Sequence, residues 1–100
     1  MLNEPQLQKL MTDVVHGRLP KMQLEQVLTE PMIDSDGENA LRITLVLSTE
    51  SARALTGDET LGLLVEVQES LRREGEERFA IIEYATEDDL HEQDDADGAD

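Results

Sequence analysis

Two histidines and no cysteine leave this chain of 100 residues few side chains able to act as nucleophile, general base or soft metal ligand near neutral pH. His16 immediately precedes Gly17, where the end of a helix favours an imidazolium through the helix dipole. His91 sits beside Glu92 in an acidic terminal stretch. Neither is accompanied by a serine or a second histidine spaced as a nucleophile–base pair, so both read as structural. Asp34, Asp36 and Glu38 surround Gly37 with the residue types of a calcium loop. Setting Gly37 on the loop's glycine position puts Met32 and Ile43 where its first and last oxygen ligands belong. The register fails, and a hairpin turn is the better reading.

Paired carboxylates act as acid and base only in a concave site that separates their pKa values. With 24 Asp and Glu, any two can be paired on paper, and the adjacent Asp58 and Glu59 read instead as a helix start. Glycine-rich phosphate loops and the Gly-x-Ser-x-Gly elbow do not occur in the sequence. The expectation is a protein that is not an enzyme, with no cofactor and no dedicated metal site.

Hydrophobic periodicity predicts the elements that carry these residues. Leu7, Leu10, Met11, Val14 and Val15 recur at helical spacing behind a capping-box pair, Asn3 and Gln6. A helix is expected over 3–16, ended by Gly17 in a left-handed conformation and kept closed by Pro20. Residues 22–33 fit two patterns: Leu24, Val27 and Leu28 have helical spacing, while Met22, Leu24 and Leu28 also suit a strand. Pro31 excludes a central strand, so an edge strand over 24–33 is preferred, with a short helix as the competitor. The turn residues Asp34-Ser35-Asp36-Gly37 then lead into strict alternation over Leu41–Leu47, a strand with one buried face.

Thr49–Leu55 reads as a short helix or turn. Thr56 and Glu59 form a second capping box for a helix that runs to Glu74 and is closed by Gly75. Its apolar stripe is Leu61, Leu64 and Val65, widened by Leu63, Val67 and Leu71, and Gly62 within it points to a close backbone contact. Phe79–Ala85, apolar on both faces except at Glu83, reads as the best-buried strand.

These elements predict an α+β fold in the order α-β-β-(α)-α-β. A hairpin joined to a β-α-β unit makes a small three-stranded mixed sheet with the helices on one face. Residues 1–86 are expected to form one compact domain and 87–100 a disordered acidic tail. The same order of elements occurs in type II KH domains, whose Gly-x-x-Gly loop clamps a nucleic-acid backbone. Gly57-Asp58-Glu59-Thr60 lacks the second glycine and sets two carboxylates where phosphates would sit, so membership of that family is not inferred.

The chain has 38% hydrophobic and 2% aromatic residues, which calls for an aliphatic core and argues against a stacking platform for bases. Its net charge is −16, and eight of the acids with no Lys or Arg fall in residues 87–100. Phosphates are held by cations, so direct binding to nucleic acid or to an anionic membrane is disfavoured. A basic protein is the natural electrostatic partner. No signal-peptide pattern opens the chain, and a cytoplasmic location is expected.

Met22 and Met32 flank the expected edge strand and, with Leu28 within it, offer an adaptable apolar contact, with Asp58, Glu59, Glu66 and Glu69 as acidic contacts on the longer helix that follows the sheet hairpin. The same edge offers a route to a homodimer. The leading expectation is a non-enzymatic acidic interaction protein that docks on a basic protein surface as an inhibitor, antitoxin-like neutraliser, chaperone or adaptor. The alternatives are a nucleic-acid mimic that occupies a DNA- or RNA-binding groove, and a small enzyme or ligand-binding subunit. Acidity acquired as adaptation to a salty cytoplasm is a further competing explanation of the charge.

Overall fold

A computed structural model describes residues 1–90 of the chain. Asn3 caps the first helix, α1 (Glu4–Arg18): its Oδ1 accepts from the Gln6 N–H at 2.9 Å, and Gln6 Oε1 accepts from the Asn3 N–H at 3.0 Å. Gly17 does not end this helix. Its φ is not positive, and α1 continues to Arg18 before Leu19 and Pro20 close it.

The chain then forms β1 (Leu24–Ile33) and β2 (Asn39–Leu47), paired antiparallel with Val27 opposite Leu45 and Pro31 opposite Leu41. In the turn between them Asp34 Oδ1 accepts from the N–H groups of Asp36 and Glu38, each at 2.9 Å, and Gly37 takes φ +83°. The Asp34 carboxylate thus builds the turn, as the failed calcium register implied. Of the two readings for residues 24–33, the strand is the one adopted.

Ser48 caps the short α2 (Thr49–Ala54), and Ser51 Oγ accepts from the Gln23 N–H at 2.8 Å, tying α2 to the start of β1. The long helix α3 (Gly57–Arg73) opens on the expected capping box, Thr56 Oγ1 accepting from the Glu59 N–H and Glu59 Oε1 from the Thr56 N–H. Gly75 at φ +81° turns the chain out of α3, and β3 (Phe79–Ala85) joins β2 in parallel with Ile82 opposite Ile43. The result is a three-stranded mixed sheet in the order β1-β2-β3.

Strand order corrects one expectation. The best-buried strand is β2, because it alone has neighbours on both sides; β3 is an edge strand, half-covered along much of its length. Leu7, Met11 and Val15 of α1 and Leu63, Val67 and Leu71 of α3 pack on Val27, Leu41, Ile43, Leu45 and Ala80 to form one aliphatic core. Each such side chain contributes about 1.5–3 kcal/mol by leaving water. The α3 stripe is therefore rotated from the expected one: Leu63, Val67 and Leu71 are buried, while Leu61 and Val65 face solvent.

Gly62 faces a side chain rather than a backbone, since a Cβ there would lie 2.6 Å from Arg18 Nη2. Past β3, residues 87–90 form a helical turn in which Thr86 and Asp89 cap each other (3.0 and 3.2 Å), so regular structure extends to Leu90. The disorder expected beyond it, over 91–100, lies outside the described residues.

Candidate functional site

The structure scatters the residues expected to make contacts. Met22 is only 9% exposed and belongs to the core. After Pro20 the chain folds back, the Met22 N–H donating to the Leu19 carbonyl at 3.0 Å, which turns the side chain inward. Leu28 and Met32 sit half-buried on the outer face of the sheet, away from the helices, because they alternate with inward-facing Val27. The β1 edge itself is blunted: Pro31 has no N–H to offer, and Gln8 Nε2 donates to the Val27 carbonyl at 3.2 Å.

The four acids on α3 divide in the same way. Glu59 is occupied as the capping residue at 2.9 Å from the Thr56 nitrogen. Glu66 is matched by Arg73 Nη2 at 3.2 Å and Arg18 Nη1 at 3.9 Å. Asp58 and Glu69 remain exposed. Helical spacing puts them on one solvent stripe with Leu61 and Val65, which are 63% and 52% exposed. An apolar pair bracketed by two carboxylates is therefore presented along α3.

Next to this stripe lies the surface that the sequence reading did not single out. Gly57, Thr60, Leu61 and Leu64 of α3 face Ala80, Ile82 and Tyr84 of β3 across a groove of about 720 Å³ with no charged side chain in its lining. The outer edge of β3 forms its far wall. At one end Gln68 covers that edge with its carboxamide: Nε2 donates to the Ala80 carbonyl at 2.8 Å, and Oε1 accepts from the Ala80 N–H at 3.1 Å. Because backbone groups alternate in direction along a strand, Ile82 and Tyr84 turn theirs to the same side. No hydrogen bond among the described residues reaches them there.

Tyr84 adds a second unfilled group. Its Oη is buried without a hydrogen-bond partner among the described residues, and burial raises the phenol above its ordinary pKa. Two sequence features marked this place: an α3 apolar arc too broad for one contact, and a β3 apolar on both faces. Both read as burial because strand order is not visible in local pattern.

The outer face of the sheet holds a second trough of about 680 Å³ lined by Leu28, Arg42, Thr44, Glu83 and Leu90, among others. Its one cation, Arg42, lies with Nε 3.3 Å from Glu83 Oε1 and stands in register with Glu30. Among the described residues no three His, Asp or Glu side chains gather as a metal site, and no helix is long and apolar enough to cross a membrane.

The strongest ionic contact lies at the opposite end of β3 from Tyr84. Glu76, 5% exposed, accepts from the Leu2 N–H (2.8 Å), the Arg78 N–H (3.1 Å), and Arg78 Nε and Nη2 (2.9 Å each). The Arg78 side-chain hydrogen bonds hold the Glu76 carboxyl down at about 2, against 4.5 ordinarily. Arg78 Nη2 also donates to the Leu2 carbonyl at 3.2 Å, so the pair clamps the chain's start to the loop before β3. Both Glu76 carboxylate oxygens are used within the fold, which marks a structural cluster. The chain matches no protein-family model, no curated protein and no solved structure.

Proposed function

We propose that this protein is a non-enzymatic interaction module whose anionic exterior engages a basic protein surface, as inhibitors, neutralisers, chaperones and adaptors do. One observation carries the reading: an uncharged apolar groove lies beside carboxylate-bracketed Leu61 and Val65 and a strand edge that, past Ala80, no described residue caps. Apolar contact supplies residence time, and the surrounding −16 charge speeds encounter with a cationic partner. Four of its eight Lys and Arg, namely Arg18, Arg42, Arg73 and Arg78, already face carboxylates and so compete little.

Capture from native lysate on the purified chain, with elution by stepped salt, tests this. The expected result is a defined protein partner of net positive charge that is held at low salt and released as the Debye length shrinks. No retained protein, or retention indifferent to salt, overturns it. Displacement of the captured partner by duplex DNA would replace docking on a general basic surface with mimicry of nucleic acid.

A further inference from the structure

Resting on that reading, we propose that the open end of the β3 edge is the contact itself, and that it receives an extended basic segment of the partner as a fourth strand. The geometry sets length and register. Gln68 already occupies the outward N–H and carbonyl of Ala80, so an added strand stops there. Ile82 and Tyr84 offer the next outward groups, which suffices for a short ladder rather than a long one.

Side chains of such a strand alternate between two environments. Those on the helix side enter the groove against Leu61 and Leu64, where only apolar groups fit without loss of hydration. Tyr84, whose Oη is buried and unpaired among the described residues, lines both this groove and the trough on the outer face. Those on the other side emerge on the outer face beside Glu83, which Arg42 meets at 3.3 Å, and near Asp89 of the following turn, both carboxylates exposed. The occupant is thus a segment alternating apolar residues with Lys or Arg. A second copy of this chain is disfavoured, because it brings its own −16 and its own acidic rim to the same place.

Binding of a short synthetic peptide alternating valine with lysine to the full chain, read by amide hydrogen exchange, decides the matter, with a valine–glutamate peptide as control. The lysine peptide is expected to slow exchange at Ile82 and Tyr84 about tenfold or more and to leave Ala80 unchanged, while the glutamate peptide does neither. Ile82→Pro, which deletes one outward N–H, weakens binding about tenfold. Should that variant fold poorly, Leu61→Lys, at an exposed position, tests the apolar wall with the same expected loss.

Lysine-peptide binding that leaves Ile82 and Tyr84 unprotected, or no binding at all, overturns the strand site. The general reading then stands or falls on salt-graded capture alone. Protection without peptide that grows with protein concentration overturns the heterologous occupant in favour of a second copy. Protection in the dilute chain alone assigns the edge to the chain's own residues beyond Leu90 and likewise overturns the proposal.

Discussion

Glu76 concentrates more of the fold's electrostatics than any other carboxylate described above, and its hydrogen bonds give a pH dependence of definite sign. Its pKa is about 2 in the fold and near 4.5 when unfolded, so the unfolded chain binds the extra proton between those values. The associated stabilisation is fully present above about 4.5 and is lost as pH falls toward about 2, amounting to about 3 kcal/mol in all. Glu76→Gln keeps the shape, removes the charge and leaves Arg78 buried without its counterion; a loss of about 2–4 kcal/mol is expected in urea unfolding at neutral pH. Melting curves recorded down through that acid range should steepen their fall in the parent and flatten in the variant. Parallel curves would remove Glu76 from the account. Gly62 gives the opposite kind of prediction. A methyl group there meets only the end of the Arg18 side chain, which can swing away, so Gly62→Ala should raise stability by up to about 1 kcal/mol through helix propensity. A fall of that size would show that Arg18 and Glu66, 3.9 Å apart, matter more than their exposure implies.

Elements were legible in the sequence where local chemistry decides them, and illegible where a distant neighbour does. Both capping boxes, the Asp34–Gly37 turn, the alternation of β2 over 41–45 and the exit at Gly75 depend on residues a few positions apart and appear as read, whereas Val46, read on the wetter face, is fully buried. Gly17 misleads because a glycine three residues before Pro20 fits a left-handed stop, yet the helical conformation is equally open to it and α1 runs on to Arg18. The candidate site was only half legible for the same reason. Leu61 and Val65 resemble core positions until strand order puts β3 at the edge and α3 rotates Leu63, Val67 and Leu71 inward. The glutamines were invisible as edge plugs, since nothing in their spacing says that Gln8 would meet Val27 or Gln68 meet Ala80. That role predicts a local effect: Gln68→Ala should accelerate exchange of the Ala80 amide by about tenfold and cost about 1 kcal/mol, with little change elsewhere in β3. Uniform acceleration along β3 would mean that Gln68 braces the whole strand instead of sealing one position.

At the scale of the molecule, charge and fold oppose each other. A net −16 on a chain of this size raises the free energy of any compact state, because folding brings like charges closer together. Specific ion pairs offset little of it. Arg42–Glu83 and Arg18–Glu66 are substantially exposed, and pairs of that kind contribute about 0–1 kcal/mol. Among the described residues only Glu76–Arg78 is buried, where ions in solution screen it weakly. Added salt therefore acts mainly on the repulsion. The melting temperature should rise as NaCl goes from about 0.01 M to about 0.5 M, the range over which the Debye length falls from about 30 Å to a few ångströms. The same salt that steadies the free protein should release its cationic partner, and this opposition separates two explanations of the acidity. A surface shaped only by surroundings predicts a salt-stabilised fold with no salt-sensitive complex, whereas a surface used for docking predicts both effects in one sample. A melting temperature that falls with salt would reverse the premise, showing that favourable pairing, and not crowding of like charge, governs this exterior.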